Sequence, residues 1–140
     1  MTMIPERALP APIVDSVNAP FWQAASEGVL LIKRCNACGE AHWYPRPFCP
    51  HCGSDDTAWV PASGRGAIYS FTVARRAEPV PYVLAYVTLD EGVTMLTHLV
   101  DAEIESLRID QRVQVTFRRA EGGGVVPVFR PEASVAPASA

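Results

Sequence analysis

A mainly β fold with one short helix at its front is predicted by three features of the sequence. All four cysteines fall in two Cys-x-x-Cys-Gly pairs. The second half of the chain consists of β-branched and aromatic runs separated by turn residues. A length of 140 residues permits one compact unit, or two very small ones sharing a core.

The composition bounds the function before any motif does. With 12 basic and 15 acidic side chains the net charge is −3, and 49% of positions are hydrophobic, as in ordinary globular proteins. Large multidomain enzymes are excluded by length alone. An isoelectric point near 5.6 gives no global attraction to phosphate polymers or anionic lipid, so nucleic acid and membrane surfaces are disfavoured as partners. The longest apolar run, Val29 to Ile32, is far short of the roughly 20 residues that cross a bilayer. No basic segment followed by an apolar one opens the chain, so the expected compartment is the cytoplasm.

From the N-terminus, Pro5, Pro10 and Pro12 mark a tail. Asn18 and Ala19 ahead of Pro20, with Gly28 as a stop, predict a short helix over Phe21 to Glu27. Its adjacent aromatics Phe21 and Trp22 dock either on the body of the fold or on a partner. Val29 to Arg34 then reads as a strand leading into the first cysteine pair.

Cys35-Asn36-Ala37-Cys38-Gly39 and Cys49-Pro50-His51-Cys52-Gly53 form two knuckles separated by ten residues. A two-residue spacing lets both sulfurs of a knuckle face one ion, and the following glycine allows the tight turn. Together they predict a rubredoxin-like four-thiolate ribbon over residues 29–61, with Cys35, Cys38, Cys49 and Cys52 as ligands. A segment this short lacks a core of its own and relies on a metal for stability. Four protein ligands leave no open coordination position, which makes the site structural, with His51 outside it. Zinc fits this donor set best; iron, in a rubredoxin-like electron carrier, is the alternative.

Residues 62–131 read as a barrel. The predicted strands are Ala67 to Arg75, Tyr82 to Leu89, Val93 to Val100, Val113 to Arg119 and Val125 to Arg130. Asp90-Glu91-Gly92 and Glu121-Gly122-Gly123-Gly124 are hairpin turns, and Asp101 to Leu107 a helical turn. This order matches a five-stranded Greek-key barrel of the oligonucleotide/oligosaccharide-binding (OB) type. Val113, Val115 and Phe117 alternate with polar residues and face the core. Tyr82 to Leu89 is apolar on both faces, so its outer side, carrying Tyr86, is expected to be covered by the N-terminal segment, by the ribbon or by another subunit. Tyr69 and Phe71 share a face with Val73 and read as core. Residues 132–140 read as a mobile tail.

No nucleophile elbow, phosphate loop, dinucleotide fingerprint or His-Glu-x-x-His helix is present, and His42, His51 and His98 are scattered. His98 reads as a hydrogen-bonded structural histidine within its strand. A single-stranded nucleic-acid binder stacking bases on strand aromatics remains the rival class to a protein-binding module.

The ordered set of aromatic helix, paired knuckles, Trp59 followed by Gly64-Arg65-Gly66, Leu89 to Gly92, and Val128-Phe129-Arg130-Pro131 resembles the acyl-CoA-associated zinc-ribbon/OB-fold proteins. The resemblance covers roughly Phe21 to Pro131. One departure is Asp110, where that family often carries glycine. Membership implies a non-catalytic partner of thiolases, thiolase-like synthases or acyl-CoA hydratases, with the barrel helping to hold an acyl-CoA or the complex. It makes Arg65 and Arg130 candidates for a CoA phosphate or an interface carboxylate. Trp22 and Tyr86, from their own apolar settings, are the candidate partner contacts.

Overall fold

The computed structural model describes residues 2–132. Its elements, in chain order, begin with helix α1 (Ala19–Ser26) and strands β1 (Leu31–Cys35), β2 (Ala41–His42) and β3 (Thr57–Pro61). Strands β4 (Arg65–Ala74), β5 (Tyr82–Leu89), β6 (Thr94–Leu99), β7 (Arg112–Arg119) and β8 (Val125–Pro131) follow. A single 3-10 turn at Ile104–Ser106 stands where a helical turn is expected between β6 and β7.

The first three strands form a sheet in the order β2-β1-β3, and the last five a closed barrel in the order β4-β5-β6-β8-β7. All barrel pairings are antiparallel except the β6–β8 seam, a parallel contact at Leu99 and Phe129. That is the topology of an OB barrel. Ribbon and barrel share one core: Phe21, Leu30 and Ile32 cluster with Ile68, Val83, Val87, Leu99, Val113 and Phe129. The ribbon therefore gains by contact with the barrel what it is too short to bury alone.

Asn18 precedes α1 as expected, but its side chain does not cap the helix. Instead its Oδ1 accepts the Asp15 amide at 2.8 Å, while Nδ2 donates to the Ile13 carbonyl and the Tyr44 hydroxyl. Asn18 thus ties the chain ahead of the helix to the ribbon. Phe21 is buried in the core, and Trp22 lies half-buried with its ring edge-on to Phe21 at 4.7 Å.

Three expectations are corrected. Tyr69 is 68% exposed rather than core, because the pairing of β4 with β5 shifts between Ile68 and Ser70. This bulge reverses the inward phase, so Ile68 before it and Phe71 and Val73 after it pack on the core while Tyr69 points out. The outer face of β5 is covered only in part: Arg7 stacks on Tyr82 at 4.5 Å, whereas Tyr86 and its cross-strand partner Leu96 stay 47% and 52% exposed.

The third correction concerns the N-terminal tail, which is a docked strap. Ile4 donates its amide to Ala102 at 2.8 Å, Ile104 to Thr2 at 2.7 Å, and Glu121 to Leu9 at 2.9 Å. The Leu9 side chain is buried with Ala120 and Val128. Glu132 donates to the Arg112 carbonyl, and the rest of the expected mobile tail lies outside the described residues.

Asp110 adopts a φ of 69°, the left-handed conformation that glycine takes at no steric cost, and its amide donates to the Ile68 carbonyl at 2.8 Å.

Candidate metal centre and barrel face

The two knuckles are built alike. Cys35 ends β1, and its carbonyl accepts the Gly39 amide at 2.9 Å; the Cys49 carbonyl accepts that of Gly53 at 2.9 Å. Gly39 and Gly53 both take φ = 82°, the conformation the tight return requires. The sulfurs end up on one point: all four Sγ atoms lie within 4.8 Å of one another. Cys35 faces Cys52 at 3.6 Å and Cys38 faces Cys49 at 3.7 Å.

These separations suit a shared ion. A tetrahedral ion with metal–sulfur bonds of about 2.3 Å places neighbouring sulfurs about 3.8 Å apart, whereas a disulfide needs about 2.05 Å. Backbone amides already point at the sulfurs, Cys38 N at Cys35 Sγ (3.4 Å) and His51 N at Cys49 Sγ (3.3 Å). The Cys38 amide, opposed by desolvation, pulls the Cys35 thiol down to about 7. Against the pull of the Glu40 amide, desolvation and the neighbouring thiols push Cys38 up to about 12. Without a cation, four sulfurs this close cannot all ionise; with one, they can. His51 is exposed, and only its backbone touches the site.

His42, on β2 within the ribbon sheet, is 4% exposed and both ring nitrogens are buried without a partner among the described residues. Burial first, then Lys33, His51 and Arg46, hold its imidazole below the ordinary 6.5. Burial, then Arg7, does the same for His98, whose ring packs against Tyr82 at 5.7 Å instead of entering a side-chain hydrogen bond. Both rings are neutral when folded and take up a proton more readily when unfolded. Stability is therefore full above 6.5 and declines as pH falls below it toward the depressed folded values. Urea midpoints measured between about pH 7.5 and about pH 5.5 should fall, and His42→Gln with His98→Gln should flatten that slope at unchanged metal content. An equal slope in the double variant would assign the acid sensitivity elsewhere.

The candidate arginines, far apart in sequence, are brought together. Arg65 on β4 pairs with Gln114 on β7, and Gln114 pairs with Arg130 on β8. Residues directly opposite share a face, so the two exposed arginines flank one amide on the barrel exterior, their Cα atoms about 10 Å apart. Arg130 lies 3.8 Å from Asp101, which Arg118 also contacts. Asp90, whose amide donates to the Arg65 carbonyl, has its carboxylate held by Arg112 in a two-pronged pair at 2.9 and 3.0 Å, which lowers its pKa. The glycines around Arg65 serve close packing: a Cβ on Gly64 would lie 2.5 Å from Val115 Cγ1, and one on Gly66 2.4 Å from the Thr88 carbonyl.

Trp22 and Tyr86 are not brought together. Trp22 sits on α1 beside the core, while Tyr86 with Leu96 forms the open part of the β5–β6 face. Reading the sequence missed Arg7, which covers the Tyr82 end of that face, and Leu9, which is buried against Ala120 and Val128. Their signal was the apolar Ile4 and Leu9 among the prolines.

A cysteine ribbon whose four sulfurs converge, sharing a core with a closed OB barrel, defines a zinc-ribbon/OB-fold protein. Residues 22–58 match the family model described as the ChsH2 rubredoxin-like zinc ribbon domain, and residues 59–118 that of the ChsH2 C-terminal OB-fold domain. The chain belongs to this ChsH2/DUF35 family. It is 38% identical over 131 residues to a Thermomonospora curvata protein named as a probable enoyl-CoA hydratase alpha subunit, covering 91% of this chain and 41% of the relative. It thus spans about two fifths of that relative's length. A DUF35 domain-containing scaffold protein of Methanocaldococcus jannaschii is 31% identical over 79% of this chain and 83% of its own length. The benzoylsuccinyl-CoA thiolase subunit BbsA of Geobacter metallireducens is 33% identical over 60% of this chain and 58% of its own. Among solved structures, a chain of the Ltp2-ChsH2(DUF35) aldolase superposes with a TM-score of 0.78 at 38% identity, covering 86% of this chain and 98% of that one. Among the described residues no helix is long and apolar enough to cross a membrane.

Proposed function

We propose that the chain is a non-catalytic accessory subunit that assembles with a thiolase-like or hydratase-type acyl-CoA enzyme, with residues 29–61 as its zinc ribbon and 62–131 as its barrel. The observation that carries this reading is the closed four-sulfur site joined by a common core to a barrel that presents an open aromatic patch and a paired-arginine row. A site with four protein ligands offers no position to substrate, so its work is structural. Cys35, Cys38, Cys49 and Cys52 hold one zinc ion, which when bound fixes the ribbon on the barrel. Metal analysis of protein purified without added metal separates zinc from the coloured iron of an electron carrier. The expected compartment is the cytoplasm, where such thiols stay reduced.

Arg65 and Arg130 suit the phosphates of a CoA thioester, because two guanidinium groups astride one amide present several donors to an anion. Tyr86 and Leu96 suit the apolar surface of the partner. The names of the relatives, hydratase, thiolase and scaffold subunits, support this assignment. The nucleic-acid reading loses ground because Arg7 already occupies the ring of Tyr82.

The purified chain should show no turnover of acyl-CoA substrates and should co-purify with a thiolase-like or hydratase subunit of its own organism. Tyr86→Ala should weaken that complex about thirtyfold, the effect of losing an aromatic anchor worth about 2 kcal/mol. Trp22→Ala should weaken it too, but Trp22 also packs on Phe21, so its folding must be controlled. Turnover by the chain alone, or a complex indifferent to both substitutions in folded protein, would refute the proposal.

A further inference from the structure

In OB barrels ligands bind across the second and third strands, between the loop joining the first two strands and the loop joining the last two. Here those strands are β5 and β6, and the strap is fastened to both loops. Arg7 Nη1 donates to the Val80 carbonyl at 2.6 Å in one loop, and the Leu9 carbonyl accepts the Glu121 amide in the other. The strap does not fill the face. Beneath it lies a half-open cavity of about 330 Å³, within the range of about 300–1,000 Å³ typical of small-molecule sites.

The lining has two characters. Ile4, Pro5 and Val100, each half-buried, supply an apolar wall, with Leu9 and Leu99 buried behind it and the Tyr82 ring lying under Arg7. Arg7, Arg118 and Arg119, with His98, supply its polar part, beside the carboxylates of Glu6 and Asp101. Asp101 is engaged by Arg118 and approached by Arg130. Arg119 enters no ion pair among the described residues, and Arg7, bonded once to Val80, keeps further donors. Three guanidinium groups against two carboxylates leave one positive charge in a protein whose net charge is −3.

We propose that this cavity is a binding site for a small monocarboxylate with an apolar body, its carboxylate held by Arg7 and Arg119 and its body lying against Ile4, Pro5 and Val100. One surplus positive charge matches one carboxylate, whereas a phosphate dianion would be repelled by Glu6 and Asp101 and would leave the apolar wall unused. His98, kept neutral beside Arg7, adds an imidazole N–H without adding charge. This site meets the Arg65–Gln114–Arg130 row at Asp101, which Arg130 approaches, and does not depend on the partner proposed above.

The test is a backbone and imidazole NMR titration of the full chain, as purified with its metal, using benzoate as the probe. Saturable shifts are expected at residues 4–9, Tyr82, 98–101 and 118–119, with a Kd of about 1 mM. Benzamide, the uncharged isostere, should bind roughly tenfold more weakly, as should benzoate to Arg119→Met, whose side chain is exposed and whose fold is read from the remaining resonances. Arg7→Met should weaken benzoate and loosen the strap together. The proposal is overturned by shifts that do not saturate or that map elsewhere. It is equally overturned by equal affinity for benzamide, by tighter binding of inorganic phosphate than of benzoate, or by undiminished binding to folded Arg119→Met.

Discussion

Cys49→Ser is expected to abolish stoichiometric metal binding and open the ribbon while leaving the barrel folded. Cys49 is buried, its sulfur lies 3.7 Å from that of Cys38, and the His51 amide is aimed at it. A serine hydroxyl is a poor ligand for a soft ion and leaves that amide and three crowded thiols around an incomplete site. Metal binding to structural zinc sites contributes about 10–16 kcal/mol in isolated peptides. Leu30 and Ile32 remain anchored in the common core, so release should begin at the knuckles, between Arg34 and Thr57, and stop where β1 and β3 enter that core. Metal content and limited proteolysis check this. Stoichiometric zinc with unchanged protease resistance over residues 29–61 would show that the ligands lie elsewhere.

Gly66→Ala should cost about 3 kcal/mol, roughly 10 °C in melting temperature for a chain of this length. The φ of Gly66 is not in the left-handed region, so the cost is purely one of contact. A Cβ there would sit 2.4 Å from the Thr88 carbonyl oxygen and 3.0 Å from the Leu89 Cα. Both are backbone atoms of β5, paired on one side to β4 and on the other to β6, and they cannot swing aside as a side-chain tip would. Gly124→Ala is the control, since its Cβ meets only Pro12 atoms at 3.7 and 3.9 Å. Comparable melting temperatures for the two variants would disprove the close approach of Gly66 to the Thr88–Leu89 backbone.

The parts legible in the sequence are those set by local chemistry. The knuckles follow from cysteine spacing, and β7 and the hairpins at Gly92 and Gly122 from alternation and turn residues. What escaped depends on register or on distant contact. Strand β3 shows no buried-exposed alternation because four of its five residues are half-buried, and β2 is only two residues long. The outward turn of Tyr69 depends on a bulge that only the pairing with β5 reveals. Arg65 and Arg130 are individually visible as candidates, but their alignment through Gln114 requires the order β4-β7-β8, which no local pattern encodes. The strap escaped for the same reason: prolines announce an extended segment, not what it lies against.

The strap also shapes how the native state comes apart. Its contact between Thr2 and Glu105 spans 103 positions, so it is made against the chain-closure cost of nearly the whole barrel. Few apolar side chains hold it, chiefly Ile4 and Leu9, whereas β4 to β8 are bonded strand to strand around a full ring. The least costly partial opening is therefore a peeling of residues 2–9 that leaves the barrel intact. In that opened state Tyr82 and His98 join Tyr86 and Leu96, and the whole β5–β6 face, half hidden in the resting molecule, becomes one continuous surface.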